Sequence, residues 1–202
     1  MRIGIFGGAF NPVHNGHMSL AENYFGSLCL DKLIFVPTAF PPHKTSQFLV
    51  SGQDRVNMLT LAVKGRQGFE ISTIEFERQG KSYTYDTLIE LRKSYPDDEF
   101  FLIIGADQLF NFHLWYRYKD ILEMVTLCTA ARDDENQKAQ MLSYAESLDG
   151  LDMSRFYLSQ AEVVRVSSTE LRDRIGNGES ISHLVPEAVE KYILETRLYN
   201  NV

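Results

Sequence analysis

Cysteine is scarce in this chain, with Cys29 and Cys128 far apart in sequence and each in an apolar neighbourhood, SLCLDKL and VTLCTAA. That excludes a disulfide-stapled scaffold and a cysteine-built zinc site, and it predicts two free, buried thiols in a reducing compartment. Basic charge is in deficit as well, 20 Lys and Arg against 27 Asp and Glu, for a net charge of −7. A nucleic-acid or anionic-membrane surface is thereby excluded as the main partner, so any phosphate binding must be local. No apolar run approaches a signal h-region or a membrane span, and a soluble, cytoplasmic protein is the expectation. Repeats and low-complexity linkers are missing too. What remains, 202 residues with 44% hydrophobic and 23% charged content, is ordinary globular usage and predicts one domain over 1–202 with a substantial core.

The two commonest phosphate-loop signatures are absent. Gly4, Gly7, Gly8 and Gly16 do not give the spacing of the dinucleotide loop G-x-G-x-x-G. GKS at Gly80 to Ser82 resembles the end of a Walker A loop, but that motif needs glycine where Glu75 stands.

Strand-like runs at 2–6, 32–36, 69–72, 100–104 and 126–130 alternate with helical patterns at about 17–26, 52–65, 84–94, 106–122, 136–147, 168–175 and 186–196. This alternation predicts an α/β fold: a Rossmann-like, doubly wound parallel sheet of order 3-2-1-4-5 with helices on both faces. Ser51 with Asp54 opens one helix in the manner of a capping box, and Pro186 suits the first position of the last. Loops are expected at 38–51 and 132–136.

The most informative stretch is residues 3 to 17, IGIFGGAFNPVHNGH. Ile3, Ile5 and Phe6 suit a central strand. Gly7 and Gly8 are expected to turn the chain and to let a ligand's phosphates approach main-chain N–H groups. A helix pattern begins near Gly16, and a helix start favours anions. His14 and His17, three apart on its first turn, point the same way, so their ring N–H groups can donate to one polyphosphate. Half a metal site is the competing reading, but no further Cys, His or Asp cluster stands at ligand spacing. Later, Ser167 and Glu170 in VSSTELR have the spacing of a capping box, which is structural by itself but sets Ser168, Thr169 and Arg172 around a second positively polarised helix start. Asp107, after the fourth strand, is expected beside the first loop, either accepting from ribose hydroxyls with Gly105 leaving space, or N-capping the next helix.

GGAFNPVHNGH resembles the H-x-G-H signature of the nucleotidyltransferase superfamily, and VSSTELR resembles its I-S-S-T-x-[IL]-R segment. Pro41-Pro42-His43-Lys44, GKSYTYDTL at 80–88, GAD at 105–107 and Trp115-Tyr116 resemble the bacterial nicotinate mononucleotide adenylyltransferase family, in that order along nearly the whole chain. Ala9 departs from the Ser or Thr usual there, and Asn11 from the usual Asp. The resemblance implies transfer of the adenylyl group of ATP to nicotinate mononucleotide, giving nicotinate adenine dinucleotide and pyrophosphate. It implies His14, His17, Lys44 and Arg172 in catalysis. Gly7, Gly8, Ala9, Phe10, Gly16, Gly105, Asp107, Arg132, Ser167, Ser168 and Thr169 are implied for ATP. Asn11, Lys44, Thr84, Trp115 and Tyr116 are implied for the mononucleotide, with Trp115 against the pyridine ring; the alternative, a core residue, comes from its aromatic and apolar neighbours Phe110, Phe112, Leu114 and Tyr118. Arg165 is a further candidate near the phosphates. Mg²⁺ is expected on the ATP phosphates, since the chain has no obvious carboxylate cage. Partners are then small molecules only, and oligomeric state is not legible. Two rivals stand: the same transfer to nicotinamide mononucleotide or another phosphate acceptor, and a non-catalytic nucleotide-binding regulatory module.

Overall fold

The structure is a computed structural model that describes residues 1–40, 49–131, 135–159, 164 and 166–200. Strands β1 (Arg2–Gly8), β2 (Lys32–Pro37), β3 (Phe69–Ile71), β4 (Glu99–Ile103), β5 (Val125–Ala130) and β6 (Phe156–Ser159) form one parallel sheet in the order β3-β2-β1-β4-β5-β6. The expected order holds, and β6 extends it at the β5 edge. Four residues, FYLS, are too few to display a period, and β6 exists by pairing with β5.

Alternation across the pleat sorts the sheet's side chains into two layers. Phe6, Leu33, Phe35, Phe101 and Ile103 pack with α1 (Asn15–Ser27), α2 (Gly52–Val63), α7 (Ser168–Gly176) and α8 (Glu187–Thr196). Ile3, Ile5, Ile34, Phe100 and Leu102 pack with α3 (Thr84–Ser94), α4 (Ala106–Leu109), α5 (Tyr118–Met124) and α6 (Glu135–Ser147). Both faces of the sheet are thus covered, which is why its central strands read as almost continuous apolar runs.

Helix starts follow their caps. Ser51 Oγ accepts from Asp54 N at 3.0 Å, and Ser167 Oγ accepts from Glu170 N at 3.1 Å. Pro186 precedes α8 as its N-cap, one position earlier than expected. The helix expected over 106–122 is broken into α4, a 3-10 turn at Phe112–Leu114 and α5. Phe112 is fully buried, and Arg117 takes a left-handed φ of 55°, which a continuous right-handed helix cannot contain. The helix expected from 136 begins one residue earlier, so Glu135, expected in a loop, belongs to α6. Cys128 is buried as expected, but Cys29 is exposed. It follows α1 in a left-handed turn, φ 47°, at the surface. No helix among the described residues is long and apolar enough to cross a membrane.

Candidate active site

β1 and β4 lie side by side, Phe6 opposite Ile103, with β2 on the far side of β1. The chain therefore leaves the sheet in opposite directions on either side of the β1/β4 boundary. In doubly wound sheets the crevice at this reversal is where ligands sit. A cavity of about 1140 Å³ opens there. Every described candidate residue of the sequence analysis lines it, from Gly7 in β1 to Arg172 in α7. Lys44, Arg132 and Arg165 lie outside the described residues.

Gly7 and Gly8 do not make the turn expected of them; they are the last residues of β1, paired with Val36 and Pro37. Their service is space. A Cβ on Gly7 would meet nothing within 4 Å, and Gly105 is equally open, so the cavity floor here is bare backbone. The turn comes at Phe10, whose φ is 48° and whose buried ring packs edge-on against His17 at 5.0 Å.

The two histidines form one unit at the start of α1. His14 is the N-cap, and the caps are reciprocal: His17 N donates to His14 Nδ1 and His14 N donates to His17 Nδ1, each at 3.3 Å. An Nδ1 that accepts a backbone N–H carries no proton, so in the neutral ring the proton sits on Nε2. The rings stack with centroids 3.7 Å apart. Burial pushes the His14 imidazole down from 6.5 to about 4; His17 is held well below its ordinary value by burial and by its neighbour, which disfavours a second cation. The pair thus presents two neutral Nε2–H donors from the edge of the cavity. Gly16 makes room for it, since a Cβ there would stand 3.0 Å from His14 Nδ1 and 2.9 Å from Val164 O.

The start of α7 also lines the cavity and is latched to this loop. Ser168 Oγ donates to Pro12 O at 2.9 Å, so its hydroxyl proton serves the latch, and what it offers a ligand is its backbone N–H. Arg172 donates to Asn11 O at 2.8 Å and to Thr169 Oγ1 at 3.1 Å, which uses two of its five N–H donors. Asn11 is nearly buried, and its side-chain oxygen accepts from Tyr199 Oη at 2.8 Å and Val50 N at 3.3 Å. The amide at the position where the resemblance leads one to expect Asp is therefore held as part of the scaffold.

At the fourth strand Gly105 is the N-cap of α4 and Asp107 is the helix's second residue, which corrects the N-cap reading of Asp107. Asp107 is exposed at the cavity edge. Trp115 is neither core nor fully exposed: it packs on Phe112 at 5.0 Å between centroids and lines the cavity with its remaining surface. Tyr116 stands beside Tyr83 at 4.9 Å, where α3 begins at Thr84 without a side-chain cap. A helix start of this kind suits an anionic group.

Sequence reasoning missed the buried polar groups beneath this end of the cavity, Arg55 at 1% exposure, Glu75 at 6% and Thr87 at 2%. Arg55 donates to Ala9 O and Thr38 O, tying the first loop to the end of β2. Arg55 is in helical register with Met58, Leu59 and Ala62, and Thr87 with Leu88 and Leu91, a spacing that could have marked both; Glu75, between Ile74 and Phe76 in a short 3-10 turn, carries no such signal.

A model of the cytidylyltransferase-like family matches residues 5–174. A probable nicotinate-nucleotide adenylyltransferase of Lachnoclostridium phytofermentans is 38% identical, covering 98% of both chains. One from Geobacillus thermodenitrificans is 40% identical, over 98% of this chain and 86% of that one. Among solved structures, the Plasmodium falciparum nicotinic acid mononucleotide adenylyltransferase complexed with NaAD superposes with a TM-score of 0.79, covering 98% of this chain and 97% of that one at 18% identity, a likeness of fold.

Proposed function

The chain belongs to the nicotinate-nucleotide adenylyltransferases of the cytidylyltransferase-like family, enzymes of NAD biosynthesis, and we propose that the cavity at the carboxyl ends of β1 and β4 is where it joins the adenylyl group of ATP to nicotinate mononucleotide. The mononucleotide's 5′-phosphate oxygen attacks the α-phosphorus of ATP; the bond from that phosphorus to the bridging oxygen breaks, and pyrophosphate leaves with the electron pair. The nucleophile is already an anion, so no general base is required. Catalysis is then positioning together with stabilisation of charge on the moving phosphoryl group.

The observation that carries this reading is the reciprocal histidine cap. It aims two Nε2–H donors from one helix start, and because both rings stay neutral they donate without titrating near neutral pH. His14 and His17 hold the ATP phosphates from the α1 side, and the first-turn amides of α7 with Arg172 hold them from the other. Bare backbone at Gly7 and Gly105 lets the nucleotide lie on the strand ends, with Asp107 toward the ribose. The nicotinate end lies toward Trp115, with the starts of α3 and the Tyr116 segment facing its carboxylate. Lys44, outside the described residues, is assigned to the mononucleotide phosphate by the resemblance alone, as a point charge.

Among the described residues no three His, Cys, Asp or Glu side chains gather as metal ligands, and the donors around the phosphates are N–H groups. Such a set fits a nucleotide that brings its own Mg²⁺, liganded by phosphate oxygens and water, which neutralises part of the phosphate charge. ATP and a mononucleotide as substrates fit a cytoplasmic enzyme.

The test is pyrophosphate release from Mg-ATP with nicotinate mononucleotide, nicotinamide mononucleotide or phosphopantetheine as acceptor. Release with the nicotinate form alone establishes reaction and specificity. Release with the nicotinamide form at a comparable rate removes the acceptor assignment, and ATP binding without release for any acceptor removes the catalytic reading.

A further inference from the structure

Three consecutive residues after β2, Thr38, Ala39 and Phe40, are each tied by backbone to a different part of the fold. Thr38 N donates to Gly8 O at 2.8 Å, and its carbonyl accepts from Arg55 at 2.6 Å. Ala39 N donates to Glu75 Oε2 at 3.3 Å. Phe40 exchanges two hydrogen bonds with Ser82, N to Oγ at 3.1 Å and O from N at 3.0 Å. The other oxygen of Glu75, Oε1, accepts from Thr87 Oγ1 at 2.8 Å, and Thr87 Oγ1 in turn accepts from Arg78 at 2.7 Å. Thr87 sits in the first turn of α3, whose start at Tyr83 and Thr84 lines the same cavity as Thr38.

We propose that Glu75 is a positioning residue for the acceptor half of the site: its buried carboxylate bridges Ala39 and Thr87, so that the segment leaving β2 and the start of α3 are held at one separation. A carboxylate suits the task because its two oxygens accept from two elements at once, and out of water each such bond is costly to lose. The ATP half of the site, built on α1 and α7, shares no hydrogen bond with Glu75 among the described residues. The proposal rests on the acceptor being bound at this end, as argued above.

The test uses Thr87→Val, which removes the hydroxyl at constant shape, Thr87→Ser, which restores it, and Glu75→Gln. Quenching of Trp115, the only tryptophan, reads the Kd for nicotinate mononucleotide without turnover; steady-state assays read the KM for ATP. Losing one buried hydrogen bond in E75Q, and in T87V both the bond to Glu75 and the one from Arg78, should weaken mononucleotide binding by about tenfold or more, leave the ATP KM within about twofold, and be recovered in T87S. Equal weakening of both substrates would mean general loosening and overturn the clamp, as would an unchanged Kd in T87V and E75Q. Wild-type protein that binds the mononucleotide but releases no pyrophosphate would sink the catalytic reading alone, leaving the clamp to be judged on Kd. Wild-type protein that binds none would overturn both.

Discussion

Replacing His14 with Asn should make the fold less sensitive to acid. In the native state the His14 ring is 6% exposed, accepts the His17 amide on Nδ1 and is stacked on a second imidazole, so protonation is disfavoured and its pKa falls from 6.5 to about 4. The unfolded chain keeps the ordinary value. As pH falls, the unfolded state takes up the proton first; the contribution is therefore complete above 6.5 and is lost between 6.5 and 4. Proton linkage puts the loss at about 2 kcal/mol by pH 5 and about 3 kcal/mol by pH 4, a large share of a stability of roughly 5–15 kcal/mol. Asn caps a helix nearly as well through its side-chain oxygen and does not titrate. Urea unfolding of wild type and H14N at about pH 7, 6, 5 and 4 isolates the effect, because carboxylates common to both chains cancel in the difference. Wild type should lose about 2 kcal/mol more than the variant between pH 7 and 5. A difference that stays flat with pH would show that the ring titrates alike in both states, and the argument from burial and the Nδ1 acceptor would fall.

Two further substitutions probe the same site. His17→Ala should lower kcat by about two to three orders of magnitude, the usual cost of a single donor aimed at developing charge; single-turnover quench-flow of a folded variant with unchanged turnover would remove that ring from the mechanism. Gly16→Ala forces a Cβ to within 3.0 Å of the His14 ring and 2.9 Å of Val164 O, so it should lower stability by about 1–3 kcal/mol by overpacking and also depress kcat by displacing the pair. A thermal melt with a parallel turnover assay checks both, and wild-type values for both would show that the ring position is not set by the missing Cβ.

What the sequence determined is what short-range chemistry determines. The span of α3 at 84–94, the caps at Ser51 and Ser167, the strand cores and the glycine-histidine loop all depend on neighbours within a turn or a few residues, and they are legible as spacing. The resemblance carried the grouping of the site residues. Other features were decided by contacts between segments distant in sequence. The edge strand β6 needs β5 to exist. The stretch 106–122 is broken because Phe112 is drawn into the core and Arg117 is turned out in a left-handed conformation, although its local pattern is helical throughout. Ser168 looks like a phosphate ligand until Pro12 O takes its hydroxyl proton. Burial decided the rest: it keeps both histidines neutral while the reciprocal amides assign their protons to Nε2, and it places Arg55, Glu75 and Thr87 where the end of β2 meets the start of α3. A buried charge costs free energy unless its partners are in place, and those partners come from elements that only the folded chain brings into contact.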